Sequence, residues 1–89
     1  MDNREILFTV LVEPDPEDGG FVASTPTLKG VYGQGETEEE AVRDFQTALD
    51  FTLRAMVEEG EDLPASDESA RALPTVDDAG RVFRTLAAV

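Results

Sequence analysis

Gly35-Glu-Thr-Glu-Glu-Glu-Ala-Val42, continued by an apolar-periodic run that ends in Glu58-Glu-Gly60, decides the fold of this 89-residue chain. Thr37 is an N-cap residue: its hydroxyl accepts from the free N–H groups of a first helical turn. Glu40, three positions on, reaches back to the Thr37 amide and completes a capping box. Glu38, Glu39 and Glu40 also set negative charge at the positive end of the helix dipole. Gly60 supplies the left-handed residue that closes a helix, and Pro64 prevents an immediate restart. No Gly or Pro interrupts the stretch between, so the reading predicts a helix over 38–59.

At about 100° per residue, Val42, Phe45, Leu49, Leu53 and Met56 fall on one stripe, flanked by Ala41, Ala48 and Thr52. Arg43, Asp50 and Arg54 lie opposite, and Asp50 with Arg54 forms a supporting i,i+4 pair. Phe51 is off the stripe, between Ala48 and Ala55. It reads either as a peripheral core residue or as a contact to a subunit or partner.

Working outward, Ile6-Leu-Phe-Thr-Val-Leu-Val12 is β-branched and aromatic and reads as a strand over 5–13. Ile6, Phe8, Val10 and Val12 share one face, while Leu7 and Leu11 share the other. The turn Pro14-Asp-Pro-Glu-Asp-Gly-Gly20 cannot continue a ladder, and Gly19 and Gly20 provide positive φ where the turn needs it. A second strand, 19–25, follows antiparallel and ends at Pro26. Gly30 turns the chain into a short third strand, 31–34, placed at a sheet edge. After the helix, 60–80 reads as connection with room for one helical turn over 67–73. Residues 82, 83, 86 and 89 fit helical spacing, but the turn signal at 77–80 favours a strand over 81–87.

The β-β-β-α-β order gives an α+β fold, with sheet order 3-2-1-4 and one long helix on one face. A right-handed crossover would bring the last strand parallel to the first. The face carrying Leu7 and Leu11 then has nothing in the chain to cover it, so self-association as a dimer or tetramer is expected.

Composition narrows the function. One domain over 1–89 fits the length. The chain has 20 acidic against 7 basic residues, net charge −13, with no Cys and no His. Nucleic-acid binding needs clustered Lys and Arg, which are dispersed here, so direct binding is not expected. A basic protein partner is favoured by opposite fields, although acidity serves solubility as well. Neither a secretory leader nor a membrane span is expected, because the first apolar run is too short; a cytoplasmic protein follows.

Asp18-Gly-Gly-Phe-Val-Ala-Ser-Thr-Pro26, Leu28-Lys-Gly30 and Gly33-Gln-Gly-Glu-Thr-Glu-Glu-Glu-Ala41 together resemble the HicB-type antitoxin family, over about 8–64. The resemblance covers the family's D-G-G-[aromatic]-x-A-x-x-P-x-L-x-G pattern and its G-[DE]-T-x-E-E-A helix start. It implies a partial ribonuclease H-like fold, oligomers, and neutralisation of a small basic ribonuclease toxin of the HicA type. Many members add a C-terminal DNA-binding domain, whereas little of this sequence follows the last turn. The alternative is a stand-alone oligomeric structural or regulatory domain of the same fold, with no toxin.

Catalysis finds no support. Two-metal nuclease chemistry needs clustered carboxylates, one of them mid-strand, but the first strand reads Phe8-Thr-Val-Leu-Val12 through its middle, with no acid until Glu13 at its end. The acids at 15, 17 and 18 lack calcium-loop spacing. Gly33 and Gly35 precede a helix start surrounded by glutamates, which repel phosphate. No catalytic residue, metal ligand or cofactor site is expected. Gly19, Gly20, Pro26, Gly30, Gly35, Thr37 and Glu40 read as backbone chemistry. Asp50, Phe51, Glu58 and Glu59 read as candidate partner contacts.

Overall fold

β1 (Glu5–Pro14), β2 (Phe21–Ser24), β3 (Tyr32–Gly35) and β4 (Val82–Ala88) form a four-stranded sheet of order β3-β2-β1-β4, with β1 inside it, in a computed structural model that describes residues 5–73 and 82–89. β2 and β3 follow β1 as an antiparallel meander. α1 (Glu38–Glu59) then crosses one face, and β4 completes the sheet beyond β1. Strand alternation sends Ile6, Phe8, Val10 and Val12 toward the helix. There they pack with Ala23, Val31, Ala41, Val42, Phe45, Leu49 and Leu53 in one cluster. Phe8, Phe45, Leu49 and Leu53 are fully buried, each favouring the fold by roughly 1.5–3 kcal/mol.

The helix is held at both ends by its own sequence. The Thr37 hydroxyl accepts from the Glu40 amide at 3.1 Å, and the Glu40 carboxylate accepts from Thr37 N–H at 3.2 Å. Gly60, at φ +71°, closes the other end by donating to the carbonyls of Met56 and Val57. Between these ends, α1 lies almost directly on β3. A Cβ at Gly33 would stand 2.1 Å from the Phe45 nitrogen and 2.3 Å from the Ala41 carbonyl oxygen. The missing side chain therefore lets helix and strand backbones touch.

Two expectations are corrected. β4 is antiparallel to β1, with Glu5 opposite Ala88 and Leu11 opposite Val82, not parallel through a crossover. The reason is the route of the connection. From Gly60 the chain does not enter a strand directly but runs beside β1 at Leu7 and Thr9, and β4 then starts at the Leu11 end. The second correction concerns the sheet face opposite the helix, which the chain itself partly covers. β2 pairs only with Leu11–Pro14 of β1, leaving the Leu7 backbone groups open on that side. Ser66 and Asp67 take them: Leu7 N–H donates to the Ser66 hydroxyl at 2.9 Å, and Asp67 N–H donates to the Leu7 carbonyl at 2.8 Å. A 3₁₀ turn, Glu68–Ala72, follows with Ala70 buried, and Leu7 and Thr9 are buried beneath this strap. At the other end of the same face, Val82, Leu11, Ser24 and Tyr32 form a cross-strand row, with Val82 and Tyr32 exposed. The turn expected at 77–80 and the strand start at 81 lie outside the described residues.

Candidate interaction surfaces

The outward face of α1 carries the four residues singled out as partner contacts. Phe51 is 75% exposed, which removes the peripheral-core reading and leaves an aromatic ring in solvent. Helical periodicity aligns Phe51, Ala55 and Glu58 along one stripe, with Asp50 and Glu59 to either side. Phe51 and Glu58 are thus about two turns, ~11 Å, apart. Asp50 is tied to Arg54 at 3.2 Å, both side chains exposed. Such an exposed i,i+4 pair is weak and exchangeable.

Toward the helix end the charge is unrelieved. The last turn holds Glu58 and Glu59 with no basic residue, against the negative end of the helix dipole. Glu61 follows, its carboxyl titrating above the usual range because it shares a hydrogen bond with Glu59 and then feels that residue's charge. A cationic group from outside would relieve all three.

The other end of the helix is closed to anions by its own carboxylates. Glu40 accepts from Glu36 N–H at 3.0 Å as well as from Thr37 N–H, occupying the donors that a phosphate would use. Asp15, in the hairpin after β1, accepts from the amides of Glu17 and Asp18 at 3.0 and 3.3 Å and serves the turn. Beside β1 the nearest strap carboxylate is Asp67. One of its oxygens accepts from the Thr9 hydroxyl at 2.8 Å and the other from the Ser69 amide and hydroxyl. These bonds, that of Ser69 first and Thr9 next, hold Asp67 below the ordinary aspartate range. Among the described residues no cluster of three or more potential ligands gathers to hold a metal, and no helix is long and apolar enough to cross a membrane.

Two site features escape the sequence reading. Asp44, on the exposed side of α1, accepts from Gln34 N–H of β3 at 2.9 Å and occupies an edge-strand donor. Leu86 of β4 is 58% exposed on the strap side of the sheet, next to Arg84. Apolar alternation in β4 could have indicated Leu86; Asp44 carries no local signal, since its role depends on the contact at Gly33.

Comparison with known proteins agrees with this architecture. Residues 8–87 match the family model described as the HicB_like antitoxin of bacterial toxin-antitoxin system. A UPF0150 protein of Synechocystis is 37% identical over 60 residues, covering 67% of this chain and 75% of that protein. An uncharacterised 14.9 kDa protein of Haemophilus phage HP1 is 31% identical, over 70% of this chain but only 45% of its own length. Among solved structures, the N-terminal domain of Burkholderia pseudomallei antitoxin HicB superposes with TM-score 0.64 at 25% identity, covering 94% of this chain and 98% of that domain. The longer structure of the same antitoxin gives TM-score 0.62, also at 25% identity over 94% of this chain, which spans 63% of it.

Proposed function

This chain belongs to the HicB-like antitoxin family of bacterial toxin–antitoxin systems, and on that premise we propose that it neutralises a small basic ribonuclease by seating it against the acidic outer face of α1. A ribonuclease holds RNA through Lys and Arg on phosphates. Carboxylates that take those cations remove the RNA-binding surface and need no chemistry of their own, so the domain acts as an inhibitor and not as an enzyme. The net charge of −13 steers such a partner in.

The observation that carries the reading is Phe51, a solvent-exposed aromatic between an exchangeable Asp50–Arg54 pair and the unrelieved acids Glu58 and Glu59. Interfaces draw most of their energy from such aromatic anchors, with charged groups at the rim setting rate and orientation. The partner is a basic toxin of the HicA type, met in the cytoplasm where its RNA is. The antitoxin domain works as a homo-oligomer and makes no direct contact with nucleic acid.

The test is RNA cleavage by the purified toxin, titrated with this protein at several salt concentrations. Inhibition at stoichiometric ratio, weakening as salt rises, is expected. Full ribonuclease activity in the presence of excess protein overturns the proposal.

A further inference from the structure

On the sheet face opposite α1, the strap, β1 and β4 border a groove of about 470 Å³ lined by Glu5, Leu7, Ser66, Arg71, Arg84 and Leu86. That volume lies in the usual range of small-molecule sites, ~300–1,000 Å³. Its floor is the cross-strand pair Leu7 and Leu86, the first buried and the second exposed. Strand alternation puts Glu5 and Arg84 on the same face, one to either side of that pair. Arg84 donates to the Arg71 carbonyl, and Arg71 donates through Nε to Glu68 in an exposed pair. A guanidinium carries several N–H donors, so each arginine keeps most of its own for another acceptor. Among the described residues neither forms an ion pair with Glu5. The Ser66 hydroxyl accepts from Leu7 N–H, which leaves its own proton to donate. The groove thus presents cationic donors and a carboxylate, held apart, around an apolar floor.

Two other grooves of similar size lack this balance. One is lined by Asp15, Asp18 and Glu36, the other by Glu36, Glu40 and Asp44 with Arg43. There Asp15, Glu40 and Asp44 already accept from backbone N–H groups, and Arg43 is paired to Glu39.

We propose that the strap groove binds an apolar α-amino acid. Its carboxylate lies on Arg84, Arg71 and the Ser66 hydroxyl, its ammonium on Glu5, and its side chain over Leu7 and Leu86. Charge selects the zwitterion. A simple anion is repelled by a chain of net charge −13, and a simple cation meets two guanidiniums. A ligand of zero net charge avoids both, and its carboxylate suits the planar fork of an arginine. Such a ligand touches strap, β1 and β4 together, so binding holds the strap on the sheet and stabilises the native fold by mass action. The groove lies on the opposite side of the sheet from α1 and stands whether or not a toxin binds the helix.

The test is titration of the protein with leucine, followed by amide resonances and by thermal melting. Saturable shifts centred on Leu7, Ser66 and Leu86, with a rise in melting temperature, are expected. N-acetyl-leucine lacks the ammonium and leucinamide lacks the carboxylate; each should bind about tenfold more weakly, as loss of a charge-assisted contact implies. Arg84→Gln and Glu5→Gln should each weaken leucine by a similar factor. Glu5 is exposed, so Glu5→Gln reads the contact even where Arg84→Gln loosens the strap. Equal binding of either derivative, or unchanged affinity in Glu5→Gln, overturns the zwitterion assignment. No saturable shift up to the solubility of leucine overturns the site.

Discussion

The hydroxyl of Thr9, midway along β1, donates to the carboxylate of Asp67 at 2.8 Å, joining the strap to the sheet across 58 residues of sequence. This pair makes the stability of the domain sensitive to acid. The Asp67 carboxyl titrates below its ordinary value in the fold, through bonds from Ser69 and then Thr9. Unfolded, it titrates near pH ~3.9. The unfolded chain therefore binds more protons in the window below that value, and stability falls as pH falls through it. Urea midpoints measured from neutral pH down through the carboxylate range should decline. The decline should be shallower in Asp67→Asn, which starts from a lower midpoint at neutral pH. Parallel curves for the two proteins would contradict the assignment.

Gly33→Ala should be among the most damaging substitutions available. Its Cβ meets helix backbone at 2.1 and 2.3 Å, and backbone cannot rotate aside. Overpacking of this kind costs about 3 kcal/mol. Chemical denaturation should register that loss, and a midpoint within error of the unchanged protein would show that α1 can lift freely from β3.

Leu53 and Phe51 are two residues apart on one helix and should behave oppositely. Leu53 is 1% exposed, so Leu53→Ala should cost about 2–5 kcal/mol of stability. Phe51→Ala should leave stability within about 0.5 kcal/mol and weaken toxin binding about tenfold, ~1.4 kcal/mol. Calorimetric titration with the toxin, beside thermal melts, separates the two effects.

Reversing Glu58 and Glu59 to Lys should weaken a basic partner and flatten the salt dependence of its binding, because rim charges act mainly on encounter rate. Stopped-flow association at two ionic strengths reads this directly. Unchanged rates would move the interface away from the helix end.

Removing the guard on the β3 edge has its own expected outcome. Asp44→Ala frees the Gln34 N–H and removes a charge beside β3. New, concentration-dependent association should appear by light scattering, and a protein that stays unassociated would show that this edge needs no guard.

The sequence made some of this visible for clear physical reasons. Thr37, Glu40 and Gly60 act through neighbours in the chain, so their chemistry can be read without a structure. The two apolar faces of β1 agree with its place inside the sheet, and the off-stripe position of Phe51 followed from helical period alone. The direction of β4 was misread because it depends on where the connection travels. That route is fixed by polar contacts at Ser66 and Asp67, in a stretch with no apolar period. Gly33 did offer a cue, since an isolated glycine in a strand often marks close backbone approach. Asp44 offered none: one exposed acid on a helix resembles every other until the neighbouring strand is in place.

The strap also changes the entropy of building the sheet. Pairing β4 directly onto β1 closes a loop of about 70 residues, whereas with Asp67 already clipped to Thr9 only about 15 residues remain to be closed, lowering the cost by roughly 1.4 kcal/mol. A clip formed first shortens the closure that β4 must make. It converts the most distant strand pairing in the chain into a short-range one, and a variant without it should complete its sheet more slowly, even under conditions where the finished fold is stable.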